Sequence, residues 1–129
     1  MTVFLDTDVL VDCLRGTAVA QAWLNSVAAE EFQMPGVVAM ELLMRCQNWA
    51  DLQRTQQFLA AFEVAWPEAD EFAQAYALLA AHRLTSNLSI PDCLIAVMAI
   101  ARSARLFTFN LKHFQVVAGL NVSAPYARS

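Results

Sequence analysis

The chain has 129 residues and a formal net charge of −4, and 58% of its residues are hydrophobic while only 16% are charged. Disordered chains show the opposite balance, so we expect one folded domain over residues 1–129 with a substantial core. An acidic chain also has no overall attraction for nucleic acid, so a nucleic-acid ligand would have to be held by bound cations or by local arginines.

Short β-prone runs alternate with segments of helical periodicity along the whole chain. The predicted elements are a strand at 2–5, a helix from 6 to a stop at 16, a helix at 18–28, a strand at 32–34, helices at 37–48 and 51–62, a strand at 63–66, helices at 68–84 and 91–104, a strand at 106–108 and a small edge strand at 121–122. This alternation is typical of an α/β fold in which a central parallel sheet is flanked by helices.

Cysteine usage indicates a reducing compartment. Cys13, Cys46 and Cys93 lie far apart among apolar neighbours, so we expect free thiols in the cytoplasm rather than disulfides or a zinc site. We also expect no signal peptide and no membrane contact, because no apolar run approaches the roughly 20 residues that a spanning helix needs.

Three acidic residues stand in apolar surroundings, where an unpaired charge is costly. Asp6 ends the first predicted strand, Glu41 interrupts an apolar helix, and Asp92 stands at the start of another. Strand ends and the helix starts beside them converge on one crevice in an open α/β sheet, and Asn110 follows a strand toward the same edge. Clustered carboxylates repel one another unless a hard cation such as Mg²⁺ or Mn²⁺ binds them, and such cations promote phosphodiester cleavage.

Each of these acids, and two of their neighbours, also has an interpretation that involves no chemistry. The alternatives are a helix cap for Asp6 or Thr7, an ion pair with Arg45 for Glu41, a capping box with Ser89 for Asp92, and a solvated helix face for Asp8 and Asp12.

Four segments of the chain resemble sequence blocks of PIN domains, in particular those of the VapC-type toxins of bacterial toxin–antitoxin pairs. The segments are Leu5-Asp6-Thr7-Asp8, Met40-Glu41-Leu42-Leu43, Asp92 with the apolar run 93–99, and Thr108-Phe109-Asn110 with His113-Phe114. They occur in the order and with the spacing of that family and span nearly the whole chain.

The resemblance implies a PIN fold and an endoribonuclease that depends on Mg²⁺ or Mn²⁺. Carried over by position, Asp6, Glu41 and Asp92 are the acids of the catalytic metal site, and Asn110 takes a fourth position that varies between Asp and Asn. A neutral residue there implies weaker binding of a second cation.

The resemblance also assigns supporting positions and partners. Thr7 and Thr108 lie beside the site, and Arg15 and Lys112 are the residues that would contact flanking phosphates. The implied partners are an RNA substrate, a second copy of the chain and a small antitoxin that blocks the site. Operator DNA would be bound only through that antitoxin. Arg45 departs from the family pattern, because many relatives have Gly there.

A binding role is the alternative function. In it, the protein acts mainly within a toxin–antitoxin complex on operator DNA and has weak or no nuclease activity. The apolar surplus indicates a partner in either case. Its groove could include Met and Trp side chains, although at helical spacing these residue types more often belong to the core. The candidates are Trp23, Met34, Met40, Met44 and Trp49.

Overall fold

A computed structural model describes residues 1–128 of the chain, which form five strands and seven helices. The elements are β1 (Thr2–Leu5), α1 (Thr7–Arg15), α2 (Ala18–Ser26), β2 (Glu31–Pro35), α3 (Gly36–Met44), α4 (Trp49–Leu59), β3 (Glu63–Ala65), α5 (Ala69–His82), α6 (Ile90–Ala101), β4 (Arg105–Phe107), α7 (Leu111–Phe114) and β5 (Asn121–Ser123). The strands form one sheet in the order β3-β2-β1-β4-β5. Every pairing in it is parallel, which confirms the predicted fold class.

The centre of the sheet is β1, which pairs with β2 on one side and β4 on the other. Val3, Phe4 and Leu5 are each at most 1% exposed, because helices cover the strand. All carboxyl ends of the strands point to the same edge, where Leu5 pairs with Phe107. The chain that leaves β1 therefore lies beside the chain that leaves β4, although they are about a hundred residues apart in sequence.

The predicted apolar helix is α6, and it is buried as expected. Residues 93–99 are all buried, so the helix runs through the core rather than along its surface. Its first turn has the predicted capping box between Ser89 and Asp92, with Pro91 in the first turn. Because residues 93–99 are buried in the core, the helix holds its amino-terminal end at the carboxyl edge of the sheet.

Several predicted boundaries are wrong by two to four residues, and each has a local cause. The helix predicted to reach residue 48 ends at Met44, because the side chain of Asn48 caps α4 by accepting a 2.8 Å hydrogen bond from the Asp51 amide. The helix predicted to reach residue 104 ends at Ala101, since Ser103 has a φ of 51° and turns the chain into β4. The short helix α7 was not predicted.

The prediction of a solvated face for Asp12 is wrong. Asp12 is 8% exposed. Its carboxylate accepts hydrogen bonds of 2.9 Å from the Tyr126 hydroxyl and from the Arg128 guanidinium. The segment after β5 is thereby attached to α1.

The cysteines are free thiols, two of them buried and Cys46 half-buried. Within residues 1–128, no helix has both the length and the apolar character required to cross a bilayer.

Candidate active site

A cleft of about 400 Å³ opens at the carboxyl edge of the sheet. Six of the residues predicted from sequence line it: Asp6, Thr7, Arg15, Glu41, Asp92 and Asn110. Thr108 is fully buried and bonded to Asp6. Lys112 is exposed on α7 and does not line the cleft.

Asp6 joins β1 to the first helix and is 7% exposed. Its Oδ1 accepts a 2.8 Å hydrogen bond from the Thr7 amide, so it caps α1 as one alternative predicted. Its Oδ2 accepts a 2.8 Å hydrogen bond from the Thr108 hydroxyl, which arrives from the end of β4. The cap and the place in the cleft are therefore compatible, and together they fix the orientation of the carboxylate.

Glu41 reaches the cleft from the middle of α3. Its Oε1 accepts a 3.0 Å hydrogen bond from the Thr7 hydroxyl, and no ion pair with Arg45 forms among the described residues. Thr7 thus connects the first two acids, since its amide donates to Asp6 and its hydroxyl donates to Glu41.

Asp92 lies at the start of α6 and takes part in the capping box. Its Oδ2 accepts a 3.1 Å hydrogen bond from the Ser89 amide, while its own amide donates to Ser89 Oγ at 3.2 Å. The same Oδ2 lies 3.7 Å from Nδ1 of His113, which also lines the cleft. Sequence reasoning gave His113 no role at the site.

Asp8 is a fourth carboxylate at the cleft, where sequence analysis expected a solvated face. Its Oδ2 accepts a 3.0 Å hydrogen bond from the Phe109 amide, and its buried Oδ1 has no hydrogen-bond partner within residues 1–128. Burial, followed by the nearby charge of Asp6, raises the pKa of Asp8 to about 6. The feature of the sequence that could have identified Asp8 as a site residue is its position two residues after Asp6, at the same end of β1.

The acids interact electrostatically across the cleft. Burial raises the pKa of Asp6, and the charge of Asp92 adds to this effect, against hydrogen bonds from Thr108 and Thr7 that lower it. Burial also raises the pKa of Glu41, and the charges of Asp6 and Asp92 contribute in the same direction. Excess negative charge is therefore concentrated at this edge of the sheet.

The donor set fits a hard divalent cation by its chemistry. Four carboxylates and the Asn110 side chain line the cleft, and one carboxylate oxygen is buried without a partner among residues 1–128. Within the same residues, no three His, Cys, Asp or Glu side chains form a compact group ready to hold a metal. The acids are bonded instead to Thr7, Thr108 and Ser89.

Three arginines share the cleft with the acids, and sequence reasoning placed only Arg15 there. Arg45 follows α3, and its departure from the family pattern was the one signal for it. Arg128 is held by Asp12 at 2.9 Å, and its guanidinium lies over the Phe109 ring, 4.3 Å from the centroid. The cleft therefore presents carboxylates for a cation and guanidinium groups for an anion.

Comparison with known proteins gives relatives over nearly the full length. The family described as PIN domain matches residues 3–120. Ribonuclease VapC10 of Mycobacterium tuberculosis is 30% identical over 114 residues, which cover 87% of this chain and 85% of that protein.

Solved structures share the fold. A chain from VapBC2 of Rickettsia felis, bound to a DNA fragment from their promoter, has a TM-score of 0.81 at 22% identity, with 96% of this chain and 98% of that chain covered. A toxin–antitoxin complex from Klebsiella pneumoniae has a TM-score of 0.77 at 24% identity, with 98% and 99% covered. At these identities the likeness establishes the fold alone.

Proposed function

The chain belongs to the PIN-domain family, and from that premise we propose that it is a metal-dependent endoribonuclease and the toxin of a toxin–antitoxin pair. The observation that carries the proposal is the convergence of Asp6, Glu41 and Asp92 on one cleft. These acids come from three separate elements, and each is held by a hydrogen bond from a neighbouring group.

The proposed cofactor is Mg²⁺ or Mn²⁺, with Asp6, Glu41 and Asp92 as its ligands and Asn110 assisting. When bound, such a cation makes water a better nucleophile and stabilises negative charge on the phosphate. Burial raises the pKa of Asp6 and Glu41, and the neighbouring carboxylates add to this effect, so a cation that neutralised the buried acids would stabilise their ionised forms.

The remaining residues of the cleft position the acids and the substrate. Thr7 and Thr108 fix two carboxylates by donating hydroxyl hydrogen bonds, so little reorganisation is needed when substrate arrives. Arg15 and Arg128 offer guanidinium donors to phosphate oxygens. Lys112, exposed beyond the cleft, is assigned only a long-range attraction for the RNA.

We propose three further properties of the complex. A small antitoxin covers exposed apolar side chains, of which Met44 is 85% exposed and Trp49 is 68% exposed, and operator DNA is bound only through that partner. Met34 is excluded from this surface because it is buried in the core. The chain forms a homodimer. Sedimentation velocity tests this, and the expected species has twice the 14.3 kDa mass of the chain. The location is the cytoplasm, consistent with three free cysteines.

Cleavage of total cellular RNA by the purified, partner-free protein tests the nuclease proposal. The reaction is run with Mg²⁺, with Mn²⁺ and with EDTA, beside Asp6→Asn and Asp92→Asn. Asp70→Asn, which removes an exposed acid on α5, is the matched control.

We expect discrete products with either cation, none in EDTA, and losses of about a hundredfold or more in the two site variants. Undiminished cleavage by folded Asp6→Asn or Asp92→Asn protein would contradict the proposal. Absence of cleavage by the wild-type protein with intact binding of an antitoxin and operator DNA would favour the binding role instead.

A further inference from the structure

The cleft continues into a second cavity between α1, α3 and α4. This second cavity has a volume of about 150 Å³. Val11, Arg15 and Arg45 line both cavities, so the two spaces meet at a wall formed by one apolar side chain and two arginines. The far end of the second cavity is lined by Asp51 and Arg54, which form a 2.7 Å ion pair.

Arginines gather along this path beside the five carboxylates that also line the two cavities. The two cavities are lined by four of the eight basic residues of a chain whose net charge is −4: Arg15, Arg45, Arg54 and Arg128. Arg15 and Arg45 are exposed, and neither has an ion-pair partner within residues 1–128. Their guanidinium groups are therefore available where the cleft leads into the second cavity.

Arginines without an ion-pair partner among the described residues are suited at this position to bind a polyanion that extends through the cleft. When one phosphodiester of an RNA strand lies at the carboxylates, further phosphates lie on either side of it. The acidic cleft repels these phosphates unless positively charged side chains lie next to it. Arginine suits this task because its planar guanidinium donates two parallel hydrogen bonds to one phosphate. The apolar Val11 lines both cavities beside these arginines.

We propose that Arg15 and Arg45 form a phosphate-binding track that guides single-stranded RNA from the carboxylates into the second cavity. The inference rests on the proposed nuclease function and deepens it. The substrate is then an extended strand of several nucleotides, and a dinucleotide is bound more weakly because its single internucleotide phosphate cannot occupy both arginines at once.

The test measures RNA affinity without cleavage. Fluorescence anisotropy is recorded in EDTA with labelled single strands of two and of ten nucleotides. The proteins are wild type, Arg15→Ala, Arg45→Ala, Arg45→Lys and the double variant Arg15→Ala/Arg45→Ala. Gln74→Glu on α5 is the control, because it lowers the net charge by the same single unit at an exposed position that lines neither cavity.

We expect each alanine variant to weaken binding of the longer strand about fivefold, with Arg45→Lys retaining part of the affinity. The double variant reduces the slope of log affinity against log salt by about 1.4, since each phosphate contact on a single strand contributes about 0.7. Each alanine change weakens dinucleotide binding less than it weakens binding of the longer strand, and Gln74→Glu resembles the wild type.

Equal effects of Gln74→Glu and the arginine variants would overturn the track, because they would show a response to net charge alone. Unchanged RNA binding in the double variant, with loss of binding to an acidic peptide, would also overturn it and assign the surface to a protein. Cleavage tests the nuclease proposal separately. RNA binding that depends on the arginines, without metal-dependent cleavage, would support the track and contradict the nuclease. Metal-dependent cleavage without arginine-dependent RNA binding would contradict only the track.

Discussion

Single residues at the cleft serve the fold and the site at the same time. Asp6 caps α1 and also accepts from Thr108 across the sheet edge, and Asp92 belongs to a capping box and lines the cleft. The local hydrogen bonds and the proposed chemistry use the same oxygens. A sequence pattern that fits a helix cap is therefore no argument against a functional acid.

The hydroxyl of Thr7 is predicted to matter for activity more than for stability. Thr7→Val keeps the shape of the side chain but removes the 3.0 Å hydrogen bond to Glu41. We expect the cleavage rate to fall about tenfold, because the freed carboxylate no longer holds one orientation. Initial rates at saturating Mg²⁺ measure this, with the exposed Thr85→Val as control, and an equal rate in both variants would remove the positioning role.

Asp12 is predicted to stabilise the fold in a pH-dependent way. Burial raises the pKa of Asp12, but hydrogen bonds from Tyr126 and Arg128 outweigh it and hold the pKa below its ordinary value. The folded protein therefore gains stability from ionised Asp12 above the unfolded pKa of about 3.9, and the gain disappears as the pH falls through the lower folded value.

Asp12→Asn is expected to lower the free energy of unfolding by about 1–2 kcal/mol at neutral pH, a modest value because the Arg128 side chain is 46% exposed. The difference in the free energy of unfolding between Asp12→Asn and the wild type becomes smaller in acid. Urea unfolding at several pH values measures it, and a difference that stays constant down to about pH 3 would contradict the assignment.

At the scale of elements, helix starts decide the geometry of the site. Ser89 and Asn48 cap α6 and α4 in the same way, by accepting from the amide three residues later at 3.2 Å and 2.8 Å. Only the first of these helices carries a proposed catalytic acid in its first turn. Two side-chain caps of the same kind thus differ in whether their helix carries a proposed catalytic acid.

Ser89→Ala and Asn48→Ala are each predicted to cost about 1 kcal/mol of stability. Ser89→Ala also lowers the cleavage rate, because it removes the hydrogen bond from the Asp92 amide to Ser89 Oγ and so loosens the helix turn that carries Asp92, although the Ser89 amide still donates to the carboxylate. Asn48→Ala leaves the rate unchanged. Urea unfolding and cleavage rates on both variants test the pair, and parallel losses of activity would mean that stability alone governs the rate.

For the whole molecule, much of the fold could be predicted from sequence because strand and helix periods alternate clearly. The central parallel sheet, the buried α6 and the Gly16 stop follow from local patterns that the structure shares. The boundaries of α3 and α6 were wrong because caps and turns outside the periodic runs decide them.

The site was only partly predictable, because sequence cannot place distant segments beside each other. Asp8 accepts from Phe109 and Asp12 accepts from Tyr126, contacts that join residues about a hundred positions apart. A solvated helix face was the interpretation offered for both acids, because they are spaced four residues apart. Arg128 was missed for the same reason, as its position depends on Asp12 and the Phe109 ring.

Mn²⁺ binding, followed by electron paramagnetic resonance, tests most directly whether the acids form one site. Wild type is compared with Asp6→Asn, Glu41→Gln and Asp92→Asn, and with Asp70→Asn as control. We expect each of the three site variants to lose affinity by about tenfold or more, while the control binds like wild type. Equal Mn²⁺ affinity in wild type and all three folded site variants would contradict a shared cation site at this cleft.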